Sequence, residues 1–309
     1  MKTLNHSGNQ YYGDVIAGRL SRRAALTRLG AAGAGAWIAG LLGTTAIRNS
    51  AAADGSSLTF TELRRIYDQT HHVAPGYAAE VLIKWGDPLF ADSPPFDYAD
   101  PTPEQQLKAF GYNCDFIGFV PLPQGSAATE HGLLCVNHEY ISPNAMFPGM
   151  TEDEAGQKMT EQQVRVEMAA VGHSVVEVRK QDGRWSYVQG SPFNRRIHVG
   201  TEMRIAGPAA GHDLLKTKAD PTGTKVLGTS YNCAGGVTPW GTILTCEEGV
   251  SDNFGGDLAL LPEALRLLHE RYGYDGSDYY VRGRVEARFR LDHAPHAPNR
   301  LDWAGRLDP

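Results

Sequence analysis

Apolar positions along this chain recur mostly every second residue, in short runs that glycine, proline or Asp-Gly pairs bring to an end. Phe116 to Val120 reads as a strand closed by Pro121-Leu122-Pro123. Leu133-Leu134-Cys135-Val136 is a buried-strand pattern that runs straight into Asn137-His138-Glu139. On a period of two, Leu133, Cys135, Asn137 and Glu139 face one way and Leu134, Val136 and His138 the other. Val175 to Arg179 and Trp185 to Val188 flank Asp182-Gly183, a hairpin signal. Helical spacing is rarer. It predicts a short amphipathic helix over Thr61 to Tyr67, a helix over Thr160 to Val171 with Thr160 and Gln163 set as a capping box, and a third helix over Leu260 to Tyr272 before a strand at Val285 to Leu291. Pro75 to Pro103, rich in proline, aspartate and aromatics, reads as extended loop wrapping a surface. Many short strands with turn signals and few helices predict an all-β architecture with helical insertions.

One stretch concentrates the candidate chemistry. From Gly228 to Gly249 the chain places Cys233 before Gly235-Gly236, read as a turn, where absent side chains allow a ligand or another backbone to come close. Pro239-Trp240-Gly241 reads as a bend, and the β-rich run Thr242 to Cys246 then stops on Glu247 and Glu248. A thiol on a tight turn and carboxylates at a strand end can converge on one point, and thiolate with carboxylate suits iron or zinc better than magnesium. Leu133 to Glu139 has the same grammar of apolar strand, cysteine and terminal acid, so two strands each deliver an acid at one end, as inner strands of a propeller do around a central channel. The plainer reading of each acid alone is a solvated strand terminus. Tyr112-Asn113-Cys114-Asp115 reads as a capped turn, with a site as the alternative. Arg195-Arg196-Ile197-His198 and His212-Asp213 offer polar groups that suit an anion or a loop brace.

Composition narrows the classes. With 35 Gly and 18 Pro among 309 residues and 41% apolar content, the chain suits a turn-rich folded protein. Its net charge of -6 argues against nucleic acid as a stable partner. The 4 cysteines, Cys114, Cys135, Cys233 and Cys246, are too few for a disulfide framework at this length.

The first residues read as an address. Arg22-Arg23 within Ser21 to Leu26 precedes an Ala/Gly/Leu-rich run from Leu29 to Ile47, and Ala51-Ala52-Ala53 supplies small residues for cleavage. Residues 1–53 therefore read as a twin-arginine (Tat) signal peptide, with an uncleaved anchor as the alternative, and 54–309 as the mature domain. The Tat export machinery is the partner this implies, with a periplasmic or extracellular destination. Because that route carries folded proteins, a metal cluster can be assembled before export.

Several segments together resemble the PhoX-type alkaline phosphatase family: the twin-arginine leader, Asn113-Cys114-Asp115-Phe116, Val136-Asn137-His138-Glu139-Tyr140, Gly207-Pro208-Ala209-Ala210-Gly211-His212-Asp213, Asn232 to Thr242, and Thr245-Cys246-Glu247-Glu248. The resemblance implies a β-propeller, incomplete in this chain, that acts as an exported phosphomonoesterase, and a monomer is expected. It implies an iron and calcium cluster in which Cys233 is the iron-binding thiolate and Glu248, Glu247 and Glu139 supply carboxylates. On that basis Cys233 and Glu248 are expected to hold iron, Glu139 and Glu247 to bind or bridge calcium, and Asn137, His138 and His212 to support the ligands or meet the substrate. Small phosphate esters are the implied substrates. Family members continue well past the length of this chain, and Pro298 to Pro309 follows their pattern loosely, with Asp302 in place of a glycine and Arg306 in place of an acid. The remaining metal ligands and the phosphate-binding cation are therefore expected beyond Pro309. The competing expectations are a propeller fragment that binds metal or a partner without catalysis, and a calcium-dependent hydrolase of another ester.

Overall fold

In the computed structural model the described residues are 61, 63–151, 158–301 and 303–308. They fall into two units divided between Ala79 and Glu80. In the first, Asp68 accepts a hydrogen bond from the Thr70 backbone N–H at 2.8 Å and bonds the His72 ring. The helix expected over Thr61 to Tyr67 is not formed among the described residues there. Its apolar positions Leu63, Ile66 and Tyr67 stay exposed, and a helix of so few residues does not persist without packing. The signal-peptide reading of residues 1–53 lies outside the described residues. No helix among the described residues is long and apolar enough to cross a membrane.

In the second unit, alternation becomes antiparallel sheet. Strands β1 (Cys114–Pro121), β2 (His131–His138), β3 (Gly172–Gln181) and β4 (Arg184–Tyr187) lie side by side in that order, and β5 (Arg195–Ile197) also pairs with β3. Strands β6 (Glu202–Arg204) and β7 (Lys225–Leu227) form a small ribbon. A third sheet takes β8 (Asn232–Val237), β9 (Ile243–Glu247) and β10 (Ala304–Leu307) in the order β10-β9-β8. The β3–β4 turn has positive φ at both Asp182 (51°) and Gly183 (79°), the primed geometry that matches strand twist. Pro239-Trp240-Gly241 turns β8 into β9, closed by a Gly241 N–H bond to the Thr238 carbonyl at 2.9 Å.

The two faces of β2 enter different cores, as its alternation predicts. Leu133 and Cys135 pack with Val120, Val175, Ile243 and Leu307, whereas Val136 packs with Leu89, Phe110 and Val176. The first core joins the β1–β3 sheet to the β8–β10 sheet. The loop from Glu80 to Pro103 covers the second and pins itself with edge-on aromatic contacts from Trp85 to Phe96 and Tyr98, with centroids 5.2 and 5.5 Å apart. The largest core lies beneath the helix Glu161–Ala170, whose N-terminus carries the expected Thr160/Gln163 capping box.

Two expectations are corrected here. Leu260 to Tyr272 is a helix only over Glu263–Arg271, following a 3-10 turn at Leu258–Leu260. The strand expected at Val285 to Leu291 is instead a 3-10 turn, Ala287–Phe289, between irregular segments. Its alternation has another cause: Phe289 and Leu291 enter the core, while Arg288 and Arg290 pair with Glu286 and Asp292 two residues away.

Candidate metal centre

Asp115, Glu139 and Cys233 each bring a ligand atom into one cluster, with those atoms all within 4.8 Å of one another. Glu248 joins them through a hydrogen bond with the Cys233 thiol. The four side chains come from the open ends of two hairpins, β1–β2 and β8–β9, and both hairpins deliver them by the same device.

In the first hairpin Cys114 pairs with His138 and the next pair is Ile117 with Val136, so Asp115 and Phe116 together oppose Asn137. In the second, Asn232 pairs with Glu247 and the next pair is Gly235 with Thr245, so Cys233 and Ala234 together oppose Cys246. Each is a β-bulge, which bends a strand and re-aims the side chain of the extra residue. The residue two positions before each bulged ligand has a left-handed backbone: Asn113 at φ 57° and Tyr231 at φ 54°. The carbonyl of Asn113 accepts the Glu139 N–H at 3.2 Å, and that of Tyr231 accepts the Glu248 N–H at 2.9 Å. Asp115 and Glu139 are therefore placed in one hairpin as Cys233 and Glu248 are in the other.

Glycine brings the hairpins together. The expected Gly235-Gly236 turn is instead the middle of β8, and its glycine has a packing role. A Cβ at Gly235 would stand 2.6 Å from the Phe116 ring, and one at Gly118 would stand 3.1 Å from the Val237 side chain. Larger residues at these points would push β1 and β8, and with them Asp115 and Cys233, apart.

The electrostatics are those of crowded anions. The Cys233 thiol is pushed up to about 12, first by its hydrogen bond to Glu248 and then by burial and the nearby Asp115 and Glu139. Glu139 is raised by burial and then by Asp115 and Glu248. Three hard carboxylates and one soft sulfur crowded together fit a cation that neutralises them; sulfur suits iron and the oxygens suit calcium.

The sequence-predicted residues divide clearly. Cys233, Glu248 and Glu139 come together. Glu247 points away, because adjacent strand residues face opposite sides. Its carboxylate accepts the backbone N–H groups of Ser230 at 3.1 Å and Trp303 at 3.3 Å, bracing the β8–β10 sheet. Asp115, in the segment read first as a capped turn, takes its place; a bulge is invisible to a period-two reading. Asn137 is buried and donates to the Cys233 carbonyl at 2.8 Å. His138 faces the opposite core, where its Nε2 meets the Ser174 hydroxyl at 2.7 Å and its ring stands edge-on to Phe110. His212 caps a 3-10 turn, its Nδ1 accepting the Leu214 N–H at 3.2 Å. Arg196 ties the end of the helix Glu161–Ala170 to the start of β3, donating to the carbonyls of Ala169, Val171 and His173 at 2.6, 3.1 and 2.9 Å. An apolar groove lined by Phe119, Leu134 and Trp185 among others shares no residue with the cluster.

Residues 58–309 match the family model described as alkaline phosphatase PhoX. The chain is also similar to the solved structure of Pseudomonas fluorescens PhoX in complex with vanadate, a transition state analogue, at 38% identity and a TM-score of 0.68. That similarity covers 77% of this chain and 40% of the other, so the chain spans well under half the length of that relative. No curated protein sequence matches it.

Proposed function

Because this chain belongs to the alkaline phosphatase PhoX family, we propose that it forms part of an exported, metal-dependent phosphomonoesterase of β-propeller architecture that hydrolyses small phosphate esters. The observation that carries this reading is the convergence of Asp115, Glu139, Cys233 and Glu248 at the meeting ends of two hairpins. Cys233 and Glu248, hydrogen-bonded to one another, are the pair suited to iron, while Asp115 and Glu139 offer hard oxygens to calcium. Cations bound there neutralise charge on a transferring phosphoryl group and make a water more acidic. The chain's own part is to hold four ligand side chains in place before any cation arrives. The bulges do so for Asp115 and Cys233, and the Asn113 and Tyr231 carbonyls for the backbones of Glu139 and Glu248.

The test is elemental analysis of the purified protein, with turnover of a phosphomonoester measured beside a lactone, with and without added calcium. Iron and calcium at defined ratios, with calcium-dependent release of phosphate, support the reading. Metal without phosphate release assigns the chain a metal-binding role lacking catalysis. Lactone turnover alone replaces it with another esterase. Arg22-Arg23 followed by the Leu29 to Ile47 run supports export through the Tat machinery. Changing both arginines to lysine is expected to leave the protein in the cytoplasm on fractionation, and unimpaired export would refute that route.

A further inference from the structure

At the bulge that carries Cys233, one side chain bonds two successive backbone carbonyls. Asn137 donates from Nδ2 to the Cys233 carbonyl at 2.8 Å and to the Ala234 carbonyl at 3.4 Å. Both partners are acceptors, so the amide nitrogen must point to β8 and Oδ1 must point back. It points back to His173 on β3, whose Nδ1 lies 2.8 Å from Oδ1 and which pairs directly with Asn137 in the strand register. Oδ1 only accepts, so the proton is on Nδ1. Asn137 is also the residue that opposes the β1 bulge, so one amide stands where both ligand-bearing bulges meet.

We propose that His173, acting through Asn137, is a positioning residue for the Cys233 thiolate: the Nδ1–H bond to Asn137 fixes the amide, and the amide fixes the bulge from which the sulfur projects. The inference rests on the metal-centre reading above. His173 is fully buried in β3, and its own carbonyl is held by the Arg196 guanidinium at 2.9 Å, so its ring has a fixed base. Burial, with Arg196 and Arg195 nearby, also pushes its pKa down to about 3, which keeps the ring neutral with a single N–H. The arrangement parallels the hydrogen bonding that orients ligands from behind in metal sites, one step further removed through the backbone.

Cobalt(II) is the probe, titrated into the full chain and read through the near-ultraviolet sulfur-to-cobalt charge-transfer band. An asparagine amide nitrogen occupies the place of histidine Nδ1, whereas glutamine reaches that of Nε2. His173→Asn is therefore expected to keep the native affinity and band, and His173→Leu and His173→Gln to bind cobalt about 10- to 100-fold more weakly with a shifted band. A leucine variant with native affinity and spectrum overturns the proposal, as does a glutamine variant indistinguishable from the asparagine one. Should the leucine variant not fold, the asparagine and glutamine pair decides alone. If the native chain and Cys233→Ser give the same cobalt spectrum, the metal-centre reading itself falls, and the positioning role falls with it.

Discussion

Cys233→Ser is expected to strip the soft metal from the protein, lowering its iron content to background while the fold, followed by circular dichroism, is kept. The thiol is half-buried at a strand end and takes no part in the apolar cores, so its exchange for a hydroxyl removes a ligand rather than packing. Where phosphatase activity is present, it should fall on the order of 10² to 10³-fold, the scale of losing one stabiliser of transition-state charge. The pH dependence gives a second reading. Glu248, burial, Asp115 and Glu139 all hold the thiol in its protonated form, so at neutral pH metal must displace its proton. Acid therefore weakens binding and alkali strengthens it, by about tenfold per pH unit for each proton released. The serine variant should release one proton fewer per metal bound, measurable by calorimetry in buffers of different ionisation enthalpy. Retained iron with unchanged proton release would remove Cys233 from the centre.

How much of this was legible depends on what periodicity can carry. The faces of β2 follow from alternation, which puts Asn137 and Glu139 on one side, and the Asp182-Gly183 hairpin and Thr160/Gln163 cap follow from local rules. Asp115 was missed because its role depends on a bulge, which adds a residue to one strand and changes which way side chains point. No residue repeat marks it, because the likeness between the two ligand-bearing segments is one of backbone and not of sequence. Asn113-Cys114-Asp115-Phe116 and Tyr231-Asn232-Cys233-Ala234 have the same backbone course, each ending on a ligand and a neighbour that approaches the other hairpin. Glu247 was misplaced for the reverse reason: two adjacent acids at a strand end cannot share a face, and Glu248, which continues the pairing to Tyr231, is the one that turns inward. His173 and Arg282 left no signal, since a polar residue in an apolar run looks the same whether it orients a neighbour or merely breaks the pattern.

Arg282→Met is expected to destabilise the chain by about 3–5 kcal/mol, because it leaves the Glu167 carboxylate buried without its partner. Both side chains are inaccessible to water, and the guanidinium donates through Nε at 2.8 Å and through Nη2 to the two Glu167 oxygens. Burial works against the arginine charge, yet Glu167 beside it outweighs burial and holds its pKa above the ordinary value. The third donor, Nη1, reaches the Ser230 hydroxyl at 3.0 Å, and the guanidinium lies 5.6 Å from the ring centres of Tyr280 and Phe289. Ser230 precedes Tyr231, whose left-handed backbone presents the carbonyl that holds Glu248, so the loss should also loosen the β8 half of the metal centre. Adding Glu167→Leu removes the stranded charge, and the double variant should regain much of the lost stability in urea denaturation with an unchanged slope. Metal affinity should not return with it, because the Ser230 contact is still missing. A single variant as stable as the native chain would show that the pair carries no such weight. Recovery of both stability and affinity in the double variant would show that Glu248 is held without help from Arg282.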